Sequence, residues 1–561
     1  MRHVRHRSSL LVVVLALALI AAACGGGGGK KNNAAPTENA RKGGTVTLSA
    51  EQELDCAAFL ATCGNSLWGT FALGQHVLPL TYNIDPTTGK QVATNLLAGP
   101  ATLETSPVQK ITYKINPAAK WSDGQPITST DFKFTWQTIV NRDDSYDKTG
   151  YKNIDSVDDS VPSTAVVTFK QGQPFGDWRS LFAGFFGLVP SHILQGKDVT
   201  AEMTNGFTWS GGPWKLDHWT KGQELVLVPN ENYWGQKPNM DKVVFKFITD
   251  TAAESQAFKT GQVALMQPQP QLEQTQIKAL PNVTTIANDR FDYEAIWFNT
   301  DKPPVNSKAV RQALAYATDR QAIVTQLFGP LKPDIRPIQS FTTAANKAYY
   351  QQDFARYTRD LAKVDSTMKG DGWAKGPDGI WAKGGQKANL VISSTTGNKR
   401  RELTEQILQS QWKEAGFNLT VDNKKSGVLF GELLPAGSYQ ISLYAQTPSD
   451  GDPTNAGGCS NFCSENIPKQ PALSGNNYTR ISDPALDTVL RNVDNELDEA
   501  KRLSEFKKES AMLADDVPAL PLDPLFQPVY YYNNRLGGVV DNPVYGSFST
   551  LAKWFCKSPS C

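Results

Sequence analysis

The sequence predicts a mixed α/β fold, and three observations carry that expectation. Short apolar runs rich in Val, Ile, Thr and Phe alternate with stretches of helical periodicity, turn residues separate the two, and the composition is that of an ordinary globular chain. Of 561 residues, 40% are hydrophobic, 10% aromatic and 20% charged. At roughly 150 residues per domain, this length suggests about three or four structural units. The 56 Lys and Arg stand against 55 Asp and Glu, a formal charge of +1. No strong field exists to gather a polyanion, so no nucleic-acid partner is expected.

Taken in order, Thr45-Val46-Thr47-Leu48 reads as an opening strand and Ile111 to Ile115 as another, ended by Asn116-Pro117. From Thr128 to Val140 the period changes: Ser129, Thr130 and Asp131 offer caps, and Phe132, Trp136 and Ile139 recur at helical spacing. Gln223 to Val228 and Val243 to Ile248 are strands on either side of the turn-rich segment Pro229 to Pro238. Ala253 to Thr260 reads as a helix stopped by Gly261. Ile296 to Thr300 is a strand of the fully buried type. Lys308 to Leu327 follows as one long amphipathic helix, with Val310, Leu314, Ala317, Ile323 and Leu327 along one side. Leu390 to Ser393 is a strand, Arg400 to Ala415 a helix ending at Gly416, and Phe417 to Val421 the strand after it.

The first 23 residues have the pattern of an export signal. Arg2, Arg5 and Arg7 precede the apolar stretch Leu10 to Ala23, which is shorter than the roughly 20 residues of an ordinary membrane span. Ala21-Ala22-Ala23-Cys24 resembles a bacterial lipobox, with Ala21 where Leu is commonest, and places a lipid on Cys24. A plain secreted protein with a chance cysteine at the junction is the alternative. Losing residues 1–23 removes three arginines and no acids, which takes the formal charge from +1 to −2. Residues 24–42, with the run Gly25 to Gly29, lack apolar periodicity and read as a flexible tether. The lipid would be the membrane attachment, on the outer face of a bacterial cell membrane or toward the periplasmic space.

Six further cysteines lie in three close pairs: Cys56 and Cys63, Cys459 and Cys463, Cys556 and Cys561. An even number outside the cytoplasm suggests three disulfides, paired here by proximity, although six cysteines allow 15 connectivities. Loops this short would gain only about 2–2.5 kcal/mol each, so such bridges stiffen local loops. No pair has C-x2-C spacing, and the three histidines beyond the signal, His76, His192 and His218, form no ligand motif, so neither a metal nor a cofactor is expected.

Four blocks then carry a family resemblance. AKWSDGQPITSTDFKFTWQTI (Ala119 to Ile139), GGPWKLDHWTKGQELVLVPNENYWGQKPNMDKVVFKFITD (Gly211 to Asp250), WFNTDKPPVNSKAVRQALAYATDRQAIV (Trp297 to Val324) and DVPALPLDP (Asp516 to Pro524) resemble, in the same order, segments of the bacterial extracellular solute-binding proteins of family 5, the peptide and nickel class. The resemblance implies an α/β, two-lobed fold of the type II periplasmic-binding-protein kind with an extra inserted subdomain (cluster C), and an ABC permease as partner. Carried onto this chain it places lobe I at 43–82, 206–292 and 528–561, the inserted subdomain at 83–205, and lobe II at 293–527. Two connectors, near Phe291 to Thr300 and near Leu520 to Tyr532, would form the hinge. It further implies a monomer that captures a small solute, a peptide first and an oligosaccharide as the alternative, without chemistry.

Most residues of these blocks also have structural readings. Trp121-Ser122-Asp123-Gly124 fits a turn, Trp214, Tyr233 and Trp234 fit packing anchors, and Arg311, Asp319 and Arg320 fit surface or capping pairs. Peptide-binding relatives place an aspartate, four residues before a proline, against the peptide amine. That position is Ser449 here, with Asp450 beside it. The remaining ligand candidates are Trp68, Tyr82, Trp297, Asn299 and Tyr444. A sandwiched aromatic ring buries about 150–250 Å², a gross gain of about 4–6 kcal/mol, whereas micromolar binding needs about 8.2 kcal/mol net. Two such platforms with hydrogen bonds would suffice without a charged anchor. A hydrolase is the rival class, and the chain has no G-x-S-x-G, no H-E-x-x-H and no phosphate loop. Asp143-Asp144 and Asp158-Asp159 sit among polar residues and read as solvated loops.

Overall fold

The computed structural model describes residues 40–561 except 65, 86–89, 146, 185, 269, 271–273, 289, 347–348, 447–457, 472, 543 and 560. The export segment, the expected lipid site Cys24, and Ser449 and Asp450 lie outside the described residues. The rest forms a two-lobed α/β protein built on two large sheets.

The lobe I sheet has seven strands in the order Val283–Ile286, Val529–Tyr532, Leu265–Met266, Thr45–Ala50, Lys242–Phe247, Glu224–Pro229 and Trp214–Thr220. Its centre is the parallel pair Thr45–Ala50 and Lys242–Phe247, in register from Thr45 opposite Lys242 to Ala50 opposite Phe247. Alternation sets the buried face: Val46, Leu48 and Ala50 are fully covered. A second sheet, Thr102–Glu104, Lys110–Lys114, Thr164–Phe169 and Ile154–Val161, carries the helix Ser129–Asn141. That helix is started by Thr128, one residue before the expected caps, through a reciprocal box with Asp131. Phe132 and Ile139 pack beneath it, and Tyr113, Phe132, Tyr151 and Phe182 meet at ring distances of 5.0–6.0 Å. This subdomain shares one continuous apolar core with the seven-stranded sheet. Asn95 of the subdomain pins the Tyr233-Trp234 pair, accepting from Trp234 Nε1 at 2.9 Å.

Lobe II has its own core around five strands ordered Asn418–Val421, Asn389–Ser393, Ile441–Gln446, Tyr293–Phe298 and Ala519–Pro524. Every residue of Tyr293–Phe298 is buried, Glu294 included, and the strand begins three residues before the expected Ile296 and ends at Phe298, ahead of Asn299 and Thr300. The helix Lys399–Ala415 ends where Gly416 takes φ +99°, a left-handed stop that a Cβ would push into the Trp381 ring.

Two expectations are corrected here. The single helix Lys308 to Leu327 is two helices, Lys308–Ala317 and Arg320–Phe328. Thr318 is extended, its hydroxyl engaged by Leu314 O and by Trp412 Nε1, and Asp319 restarts the chain as the next cap. One apolar stripe across both pieces hid the break. Arg311 and Arg320 are also not surface residues. Arg311 is buried against Asp516 and four main-chain carbonyls, and Arg320 donates to the carbonyls of Ile338, Pro521 and Phe354. Both arginines staple the helices to the end of lobe II's sheet.

Disulfides join Cys56 to Cys63, Cys459 to Cys463, and Cys556 to Cys561, with Cα separations of 5.7, 4.5 and 5.4 Å. The last holds the C-terminus against the first strand, where Cys561 N donates to Thr45 O at 3.0 Å.

Candidate binding cleft

The chain passes between the sheets twice, from Ile286 to Tyr293 and from Pro524 to Val529. The two passages run side by side: Leu525 N donates to Asp292 O at 2.9 Å. Arg290, in the first passage, is buried and paired with Asp292 at 2.8 Å. It lies over the Phe71 ring of lobe I at 5.3 Å, while its carbonyl accepts from Thr343 Oγ1 of lobe II at 2.7 Å.

Between the lobes and above these passages lies a cleft of about 910 Å³, open solvent included. Lobe I contributes Glu51, Gln52 and Ser66 to Trp68. Lobe II contributes Asn398, Arg400, Arg401, Phe430 and Tyr444, and the second passage contributes Leu525 and Gln527. Glu51 directly follows the central strand. Its Oε1 accepts from Trp68 Nε1 at 3.3 Å and from Gln527 Nε2 at 2.7 Å, and Gln527 in turn accepts from Gln267 Nε2 at 3.3 Å.

The opposite wall is the first turn of Lys399–Ala415, capped by Asn398, whose side chain accepts from Arg401 N. Both arginines of that turn converge on Glu294: Arg400 Nη2 at 2.5 Å, and Arg401 Nε at 2.8 Å with Nη2 at 3.4 Å. Arg401 Nη1 also donates to Thr395 Oγ1 at 2.8 Å. Burial pushes the Glu294 carboxyl up, but the two guanidiniums outweigh it and hold it below the usual carboxylate range. Asp523, opposite Glu294 on the neighbouring strand, behaves differently. Burial pushes its pKa up to about 8 against the pull of Arg400, and neither of its oxygens has a hydrogen-bond partner.

The cleft is shut at both sides. On one, Gln52 Nε2 donates to Ser426 Oγ at 3.0 Å, and Ser426 Oγ donates to Asp55 Oδ2 at 3.3 Å. On the other, the inserted subdomain meets lobe II. Gly176 N donates to Asp494 O at 2.6 Å, Ser460 Oγ to Asp147 Oδ2 at 2.6 Å, Ser474 Oγ to Ser145 O at 2.8 Å, and Lys152 pairs with Glu465, which Arg491 also holds at 3.1 Å.

Of the residues singled out by sequence, Trp68 and Tyr444 line this one cleft from opposite lobes. Trp297 is placed behind Tyr444, stacked on it at 4.8 Å and 9° and donating Nε1 to Tyr444 O. Asn299 is fully buried in lobe II, its Nδ2 donating to the carbonyls of Gly437 and Tyr439. Tyr82 lies in the core of the other lobe, edge-on to Trp178 and accepting from Ala101 N. Sequence reasoning missed Glu51, Arg400, Arg401 and Gln527. A signal was there for the arginines: two cations in the first turn of a helix oppose its dipole, which calls for a buried acid to hold them.

Two lobes joined by paired passages over a walled cleft make an arrangement that can hold a ligand between its halves. Comparison with known proteins gives the family. Residues 94–466 match the model of the bacterial extracellular solute-binding proteins, family 5, and the chain belongs to that family. It is 23% identical over 491 residues to the oligopeptide-binding protein AppA of Bacillus subtilis, covering 85% of each chain. It is 24% identical over 428 residues to protein XP55 of Streptomyces lividans, covering 74% of this chain and 71% of that one. Among solved structures it is similar to a periplasmic EDTA-binding protein, EppA, with TM-score 0.81, 20% identity, and 95% of this chain and 100% of that one covered. The structure of B. subtilis AppA in complex with a nonapeptide gives TM-score 0.80 at 19% identity, covering 92% and 100%. AppA and EppA are named as binding proteins.

Proposed function

We propose that this protein is the substrate-binding component of an ABC importer. It captures a peptide or peptide-like solute in the interlobe cleft by hinge closure and hands it, unaltered, to permease subunits. The observation that carries the proposal is the cleft itself, walled from both lobes and shut by bonds that only an approach of the lobes can make. Trp68 and Tyr444 serve as the aromatic contacts. Lobe I then comprises 43–82, 206–292 and 528–561 with the inserted 83–205, and lobe II comprises 293–527. The mature protein begins at a lipid-bearing Cys24, followed by the tether to residue 42, and works as a monomer on the outer face of the cell membrane. The peptide-binding relatives support the class of solute.

Native mass spectrometry of the purified protein tests this directly. A peptide released on denaturation, with a smaller radius of gyration when it is added back, is the expected result. A scattering curve and melting temperature that ignore a broad peptide and oligosaccharide panel would remove the proposal. A sugar in the spectrum would replace the peptide and leave the capture mechanism standing.

A further inference from the structure

The lobe II wall of the cleft is joined to one of the contacts that shut it. Tyr444, Ala445 and Gln446, at the end of the strand Ile441–Gln446, line the cleft. Tyr444 is fixed from behind: Trp297 stacks on its ring, Trp297 Nε1 donates to its carbonyl at 3.0 Å, and Phe430 meets it edge-on at 5.6 Å. Trp297 in turn stands 6.1 Å and 22° from the ring of Phe462, and both are buried. Gln446 makes a parallel link, its Nε2 donating to Asn461 Oδ1 at 3.4 Å.

Asn461 and Phe462 belong to the short helix Cys459–Phe462, closed on itself by the Cys459–Cys463 disulfide. Asn466 Nδ2 on Cys459 O at 2.7 Å and Asn477 Nδ2 on Cys463 O at 3.0 Å brace it further. So held, the helix shifts as one piece. It also carries Ser460, whose hydroxyl donates to Asp147 Oδ2 of the inserted subdomain at 2.6 Å, in a buried contact. Asp147 is itself fixed, its other oxygen accepting from Thr149 N at 2.8 Å. An O–H···O bond extends to about 3.0 Å, so about 0.4 Å of displacement removes this one. Close-packed interiors transmit shifts of that size instead of absorbing them.

We propose that Trp297 is a positioning residue: it carries the pressure of a seated solute from Tyr444 to the helix Cys459–Phe462, and so decides whether Ser460 reaches Asp147. This rests on the reading of the cleft as a solute site and adds where the fit is sensed. A solute that leaves the Tyr444 ring square on Trp297 lets the clasp form and is held. One that displaces the ring leaves the clasp open and escapes.

Calorimetric titration at pH 7 with trialanine reads the coupling as a double-mutant cycle. Ser460→Ala in the parent is expected to weaken binding about tenfold or more, since it leaves Asp147 Oδ2 unpaired on closing. In Trp297→Leu the same substitution should cost less than about threefold. Trp297→Phe, which keeps a ring between Tyr444 and Phe462, should restore a cost of at least about fivefold, a recovery that a change in stability alone would not give. A cost of Ser460→Ala that persists undiminished in Trp297→Leu overturns the proposal, as does a cost below about threefold in the parent. Should Trp297→Leu fail to fold, Phe462→Leu, which breaks the stack at its other end, takes its place. If trialanine does not bind, the peptide reading falls and the coupling is read within lobe II by hydrogen exchange. Tyr444→Leu should then speed exchange of the Phe462 and Cys463 amides at least about fivefold in the parent and leave it unchanged in Trp297→Leu. No rise in the parent, or the same rise in both, overturns the proposal.

Discussion

Replacing Gly176 with alanine probes closure without touching the cleft. Gly176 belongs to the inserted subdomain, and its amide bonds to Asp494 O at the end of the helix Pro484–Asn495 in lobe II. A Cβ on Gly176 would lie 2.3 Å from Glu496 O and 3.0 Å from Arg502 Nη1. Ordinary contact begins at 3.4 Å, so 1.1 Å must be found. The obstructing atom is main chain and cannot swing aside, so the room must come from parting the lobes. Parting by that amount stretches the 2.6 Å amide bond beyond hydrogen-bonding range and strains the neighbouring Ser460–Asp147 contact. Overpacking of this kind costs about 1–3 kcal/mol, which lowers the closed population and weakens solute binding by about 5- to 150-fold. In the open form the new methyl meets nothing across the gap, and the melting temperature of the unliganded protein should stay within about 2 °C of the parent. Titration with the co-purifying solute, together with small-angle scattering, reads both effects. A Gly176→Ala protein that binds with parental affinity and contracts fully would refute the argument that this surface must meet for capture.

Other outcomes follow from the buried charges and the lining. Glu294→Ala leaves Arg400 and Arg401 uncompensated in the lobe II wall and should destabilise the protein by about 3–5 kcal/mol in denaturant melts; a loss below about 1 kcal/mol would contradict the pairing. Asp523 keeps its proton in the fold up to a pKa of about 8 but loses it near 3.8 when exposed. The fold binds the extra proton, so stability from this group is greatest below about pH 4 and is lost as pH climbs toward about 8. Asp523→Asn should therefore gain in melting temperature over the parent across that window, and a gap that narrows with rising pH would be the wrong sign. Trp68→Ala and Asn299→Ala should separate two roles. The first weakens solute binding about tenfold or more, whereas the second costs about 2–3 kcal/mol of stability, from two orphaned carbonyl partners, at constant affinity per folded molecule.

Much of the scaffold was legible before the fold. The strand Thr45–Ala50, the helix Ser129–Asn141 and the Gly416 stop follow from period, capping and turn chemistry, all local and short in range. What escaped was long in range. The break at Thr318 depends on an indole from the helix Lys399–Ala415, about 90 residues onward, occupying the threonine hydroxyl. The burial of Arg311 and Arg320 depends on carbonyls near the far end of the chain. The cleft shows the same division. Trp68 and Tyr444 were visible as aromatics beside strands, but aromatic character alone did not separate them from Trp297, which supports Tyr444 from within the core. Glu51 gave no sign, because its partners Trp68 and Gln527 lie 17 and 476 residues away.

The bond from Leu525 to Asp292 has a mechanical corollary. For the proposed closure, two straps fastened to each other, each joining adjacent strands at both ends, would leave the halves a single line about which to turn and would suppress sliding or twisting. The Ser426 side and the Gly176 side therefore cannot engage independently. A solute that props one edge ajar holds the other ajar as well, and an ill-fitting guest is detected at a distance from any group it touches.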